Sequence, residues 1–211
     1  MSTRRIKVRK RDLAIKLQKV SSHPKPKVNL EQYTIPADLA AEILFTACYV
    51  YGDIEGKRVI DLGTGTGRLA AGASLLNAEY VVGVDIDPTS LAIAAKSSEL
   101  LNVHVDWVLA NADTIRGRVD TVIMNPPFGT KQPHADVKFL DYALAVGDVV
   151  YSIHKISTRT FLNQWLRKRG YEAYEIMTAK MEIPHQFTFH TKEKEFVDVC
   201  VIRIRKLLLQ P

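Results

Sequence analysis

From Arg58 onward, short apolar runs alternate with segments of helical period, and this alternation restricts the fold more than any other feature of the 211 residues. Runs near 58–62, 80–84, 104–109, 119–124 and 148–153 predict strands, with helical patterns near 67–76, 88–101, 136–147 and 157–169. Strands separated by helices pair in parallel, which predicts an α/β fold with helices on both faces of the sheet. Further strands near 171–179 and 195–206 have no helix between them and predict an antiparallel hairpin at the sheet edge. Upstream, a helix opens near Pro36 with Leu39, Ala40, Ile43, Leu44 and Ala47 on one face. A weaker helical pattern at Leu13, Ile15, Leu17 and Val20 stops before Ser21-Ser22-His23-Pro24-Lys25-Pro26.

The chain has 46% hydrophobic and 25% charged residues, as expected of a globular protein, and no apolar run long enough to cross a bilayer. The basic N-terminus is not followed by an apolar segment, so no signal peptide is expected and the protein should be cytoplasmic. Cys48 and Cys200 stand in apolar surroundings without metal-ligand spacing, which predicts two buried free thiols and no metal site. The net charge of +6 is uneven: residues 1–28 carry ten Lys or Arg and one acid, and the remainder is net negative. Residues 1–28 therefore form a basic arm, ahead of a single domain over 29–211. Such an arm suits a nucleic-acid backbone or, more simply, a solvated helix face.

The first strand ends in Asp61-Leu62-Gly63-Thr64-Gly65-Thr66-Gly67. Glycines here allow left-handed backbone and close approach of a ligand. The spacing is G-x-G-x-G rather than the G-x-G-x-x-G of dinucleotide binders, which argues against NAD. Asp85 ends the next strand about 20 residues on, where an acid can accept hydrogen bonds from ribose hydroxyls, and Ile86 beside it can cover an adenine face. Asp87-Pro88 predicts the N-cap and first residue of the next helix. Asp113 follows the third strand, where it can accept an adenine amine or belong to a surface turn.

The fourth strand runs into Asn125-Pro126-Pro127-Phe128-Gly129. Pro126 and Pro127 lack N–H groups and restrict the backbone, leaving the Asn125 side chain and the Pro126 carbonyl available to a ligand. Phe128 offers a stacking face. A proline turn with Phe128 plugging the core would use the same residues. As the fourth strand in the series, however, it ends at the same edge as the glycine loop and Asp85.

The glycine loop, the acids and the antiparallel edge together resemble the Rossmann-like class I methyltransferases that use S-adenosylmethionine, with a mostly parallel seven-stranded sheet. In that class the loop and the acid at its strand end position the methionine part of the cofactor. Asn-Pro-Pro-Phe matches the signature of amino-methyltransferases at all four positions, which implies Asn125, Pro126, Pro127 and Phe128 as the catalytic corner. Leu30-Glu31-Gln32-Tyr33, Met124 to Lys131 and Val150-Tyr151-Ser152-Ile153-His154-Lys155 extend the resemblance to the archaeal and eukaryotic family that modifies an adenine of small-subunit ribosomal RNA. This resemblance implies Gln32, Tyr33 and Thr34 near the cofactor, and a small zinc-binding activator protein as heterodimer partner on an apolar edge. Thr34-Ile35 departs from the Pro-Thr of eukaryotic members.

Lys131, His154, Lys155 and His185 are candidate RNA contacts, the last within an aromatic and basic loop over 184–192 that could also be a hairpin tucked on the core. The leading expectation is adenine-N6 methylation of RNA. Glutamine methylation in a protein, DNA adenine methylation and a non-catalytic RNA-binding subunit are the alternatives.

Overall fold

The computed structural model describes residues 7–129, 135–184 and 194–207. Helix α1 (Lys10–Leu17) and α2 (Ala37–Tyr49) precede β1 (Arg58–Leu62), α3 (Arg68–Leu75), β2 (Tyr80–Asp85), α4 (Pro88–Leu101), β3 (Asp106–Leu109) and β4 (Val119–Met124). Then come α5 (Ala135–Val146), β5 (Gly147–Lys155), α6 (Arg159–Arg167), β6 (Tyr171–Pro184) and β7 (Lys194–Lys206).

The strands form one seven-stranded sheet in the order β3-β2-β1-β4-β5-β7-β6. The first five strands are parallel, and β7 runs antiparallel to both β5 and β6. The expected mostly parallel sheet with an antiparallel edge hairpin is therefore what the chain adopts. The hairpin is longer than the apolar pattern predicts, because pairing continues to Pro184 opposite Lys194 and a bulge lies between Glu175 and Met177.

Neighbouring residues on the central strands face opposite layers, and each layer has its own core. Val59, Ile123 and Tyr151 pack with α1, α2 and α3, while Ile60, Val122 and Val150 pack with α5 and α6. Cys48 and Cys200 are free and buried, one in each layer. The weak helical pattern of the first segment is a packed element: Leu13 and Leu17 are fully buried against α2 and α3. Among the described residues no helix is long and apolar enough to cross a membrane.

The chain leaves β1 to build β2 and β3 on one side, then returns to β4 on the other. Reversal of strand order between β1 and β4 opens a crevice beyond their C-terminal ends. A strap over residues 21–36, between α1 and α2, crosses this crevice and closes it into a cavity.

Candidate active site

The cavity has a volume of about 440 Å³, within the range of small-molecule sites. The β1 loop forms its floor. Asp61 is fully buried; its Oδ2 accepts the Thr64 hydroxyl at 2.6 Å and the Ala70 N–H at 3.0 Å. Its Oδ1 is buried without a hydrogen-bond partner. Burial pushes the Asp61 carboxyl up to about 7, against the Thr64 and Ala70 hydrogen bonds that favour its ionised form, and the nearby Asp85 adds to the rise.

Gly65, at φ 55°, has nothing within 4 Å of where a side chain would begin, so its backbone is open to a ligand. Gly67 serves packing instead. A Cβ there would lie 2.5 Å from the Trp107 ring, and Gly67 is the left-handed N-cap residue of α3, outside the cavity lining that includes Gly63 and Gly65.

Asp85 accepts the Gly65 N–H at 2.7 Å and the Asp87 N–H at 2.8 Å, which binds the loop to the end of β2. Burial raises its carboxyl too. Ile86 lines the cavity while 56% exposed, leaving an apolar face for a flat ligand. Asp113 differs from expectation: it is exposed and absent from the lining, where Asn111 and Ala112 stand in its place. The physical reason is local, since Asn111 caps a 3-10 turn over Ala112–Thr114 that turns the Asp113 side chain outward.

Opposite the loop, Asn125 and Pro127 line the cavity. The Asn125 Oδ1 is buried and has no hydrogen-bond partner. The Pro126 carbonyl accepts the Tyr33 hydroxyl at 3.5 Å, and the Tyr33 and Phe128 rings lie 5.2 Å apart. Lys155 brings its Nζ to 5.8 Å from the Phe128 ring centre.

Gln32, Tyr33 and Thr34 all line the cavity from the strap. Gln32 Nε2 donates to Asp87 Oδ2 at 2.7 Å, and Lys27 Nζ donates to Oδ1 at 2.9 Å. His23 Nε2 lies 3.2 Å from Oδ2. Asp87 caps α4 as expected, accepting the Thr89 N–H, with Pro88 first in the helix. Burial works against ionisation of Asp87, but hydrogen bonds from Gln32 and Lys27 outweigh it and hold the carboxyl well below the usual range. Arg68 fastens the strap at both ends, donating to the Val20 carbonyl at 2.6 Å and to the Ile35 carbonyl. Arg68, Asp87 and Glu31, whose carboxylate accepts the Phe128 N–H at 2.8 Å, were not among the expected site residues. Their partners are 33 to 97 residues away, beyond any local pattern.

His154 corrects the sequence expectation of an RNA contact, because it is fully buried. Its Nε2 lies 2.7 Å from Ser152 Oγ, and its Nδ1 is 3.6 Å from Asp136 in the first turn of α5. The even positions of β5 face the α5 layer, so His154 points into the core beside Ser152. Tyr151, on the other layer, hydrogen-bonds Asp53 at 2.5 Å and Arg203 at 3.2 Å. Lys131 and His185 lie outside the described residues, as do residues 185–192 of the expected aromatic loop.

Residues 49–126 match the family of ribosomal protein L11 methyltransferases (PrmA). The chain is 36% identical over 194 residues to an rRNA N6-adenosine-methyltransferase of Danio rerio, covering 89% of this chain and 94% of that protein. It is 38% identical over 212 residues to an uncharacterised protein of Methanocaldococcus jannaschii, covering 95% of each. A crystal structure of a candidate RNA methyltransferase from Pyrococcus horikoshii superposes with a TM-score of 0.88 at 41% identity, over 96% of this chain and 100% of that one.

Proposed function

The chain belongs to the rRNA N6-adenosine-methyltransferase family, and on that premise we propose that it methylates the exocyclic N6 of an adenine in small-subunit ribosomal RNA, in the cytoplasm. The observation that carries this reading is the unpartnered Asn125 carboxamide oxygen, buried in the wall of the cavity that also holds the β1 loop. A buried acceptor without a donor is unfavourable unless a ligand supplies one.

The residues present fit S-adenosylmethionine. The unpartnered Asp61 Oδ1 suits a cationic ammonium, Gly65 allows close backbone approach, and Asp85 suits the ribose hydroxyls. Ile86 and Ala112 provide apolar walls for an adenine ring, and the neighbouring Asn111 suits its polar edge. When bound, the cofactor supplies an electrophilic methyl group on a sulfonium.

The chain's own part is to present a poor nucleophile in the reactive orientation. An adenine amine has its lone pair delocalised into the ring. Asn125 Oδ1 accepts one N6–H and the Pro126 carbonyl accepts the other, which favours a pyramidal nitrogen with its lone pair directed at the methyl group. Positioning and electrostatics then provide most of the acceleration. As the N–C bond forms and the sulfonium–methyl bond breaks to leave a neutral thioether, the amine becomes acidic and loses one proton to water, so no strong base is needed beforehand. The sequence expectation of a stacking face at Phe128 is corrected: the ring is 7% exposed, packs in the core beside Tyr33 and stays outside the cavity lining, so it supports the corner from behind. The Tyr33 hydroxyl lies 3.5 Å from the Pro126 carbonyl, whose second lone pair is left for the amine.

Incubating the protein with labelled S-adenosylmethionine and, separately, ribosomal RNA, a DNA duplex and a release factor tests the reading. Label on adenine N6 of small-subunit rRNA is expected; label confined to protein would exclude RNA as the substrate. A small zinc-binding activator completes the proposal. β3 is an edge strand with Leu109 59% and Val108 37% exposed, which supports an apolar docking edge. Leu109→Lys should abolish co-elution with such an activator, and unchanged co-elution would rule that edge out.

A further inference from the structure

Glu31 stands in an unusual backbone conformation immediately beside the acceptor corner. Three non-glycine residues among those described have positive φ: Glu31 at 49°, Asn77 at 60° and Asn102 at 52°. The two asparagines follow α3 and α4, where a short amide tolerates the left-handed region. Glu31 also follows a helical turn, the 3-10 turn over Val28–Leu30 closed by the Gln32 N–H on the Lys27 carbonyl, but it lacks the short amide that favours this conformation. Its side chain crosses instead to the fourth strand's end, where Oε2 accepts the Phe128 N–H at 2.8 Å; the residue itself is 6% exposed.

The chemistry of the corner explains why that N–H matters. Pro126 and Pro127 have no N–H, so Phe128 offers the first backbone donor after Asn125. With φ fixed at both prolines, holding the Phe128 N–H fixes the peptide plane that follows Pro127 and restricts the direction of the Pro126 carbonyl. Two residues further along the strap, Tyr33 touches the same carbonyl and the Phe128 ring. Gln32, between them, faces the cofactor side through Asp87.

Resting on the functional reading above, we infer that Glu31 is a positioning residue for methyl transfer. It locks the Asn125–Phe128 corner so that both acceptors meet the adenine amine in reactive geometry, and its strained backbone is stabilised by that hydrogen bond.

The test compares wild type with Glu31→Ala and Glu31→Gln by amide hydrogen exchange at Phe128, transfer kinetics on rRNA and cofactor binding by calorimetry. Glu31→Ala should speed Phe128 exchange and lower kcat by about tenfold or more, with cofactor Kd within about threefold. Glu31→Gln keeps a carbonyl oxygen and should recover most of both. Unchanged Phe128 exchange in Glu31→Ala would overturn the inference, as would a loss of cofactor affinity as large as the loss of kcat. Glu31→Met, of similar length but without an oxygen acceptor, decides the question if the alanine variant does not fold, with wild-type Phe128 protection again overturning it. If wild type transfers nothing to rRNA, the functional reading fails, while Phe128 exchange still judges whether Glu31 holds the corner.

Discussion

Two buried oxygens, Asp61 Oδ1 and Asn125 Oδ1, lack partners for different reasons, and their substitution should separate binding from chemistry. Asn125 faces the acceptor. Asn125→Ala should reduce transfer by about two to three orders of magnitude, as removal of one preorganised polar group commonly does, with cofactor affinity kept within a few-fold. Equal losses in both, measured by label transfer and calorimetry, would make Asn125 a cofactor ligand.

Asp61 should give a pH signature. Its carboxyl sits at about 7 in the folded chain, well above the unfolded value, so between these pH values the folded state holds the extra proton. Stability of the cofactor-free protein should therefore be greatest at the acidic end of this window and fall as pH rises toward 7, then level off with respect to this group. A cationic ammonium binds the ionised form, so cofactor affinity should rise with pH, by up to about tenfold per unit below 7. Asp61→Asn should flatten that slope in calorimetric titrations at several pH values; a slope equal to wild type would assign the proton to another group, Asp85 being the nearest candidate.

At the level of elements, the strap over residues 21–36 closes the crevice, and Asp87 connects it to the end of β2. Asp87 both caps α4 and receives Gln32 and Lys27. Asp87→Ala should destabilise the protein by about 1–3 kcal/mol through loss of the cap and of charge-assisted hydrogen bonds. It should also speed hydrogen exchange over residues 27–34 and weaken cofactor binding. The carboxyl is depressed in the folded state, so its contribution is present above the unfolded carboxylate value near pH ~4 and is lost as pH falls below it. Wild type and variant should converge in stability toward acid. An undiminished difference at low pH would show that packing, not charge, holds the strap.

These elements show where sequence patterns suffice. Strand and helix periods place the parallel strands, the α4 cap and the glycine loop because each depends on neighbours a few residues away. The Glu31 and Asp87 contacts depend on which segments the topology brings together, and no local period encodes that. His154 illustrates the same limit differently. A candidate RNA contact has to be exposed, whereas the alternation of β5 beneath α5 buries His154.

Across the whole molecule, charge and packing overlap in the first segment, which governs how RNA binding can be tested. Removing residues 1–20 would take away cations and also strip Leu13, Leu17 and Val20 from the core, all buried to within 1%. Weaker RNA binding after that deletion could reflect unfolding alone. The cationic side chains are separable from the apolar ones because they take opposite faces: Arg11 and Lys16 on α1 and Lys19 in the turn after it are exposed while Leu13 and Leu17 are covered. Replacing Arg11, Lys16 and Lys19 together by Ala should leave thermal stability nearly unchanged, as surface substitutions usually do. If each neutralises one phosphate of a single strand, the slope of log affinity against log salt should become shallower by about 2. Leu13→Ala should act in the opposite sense, costing about 2–5 kcal/mol of stability with an unchanged salt slope wherever the protein remains folded. Filter binding of small-subunit rRNA across a salt series, beside thermal melts of both variants, measures the two effects independently. An unchanged slope in the triple variant would assign the arm to solvation of the α1 face and leave phosphate contact to other cations, with Lys155 beside the acceptor corner the first to examine.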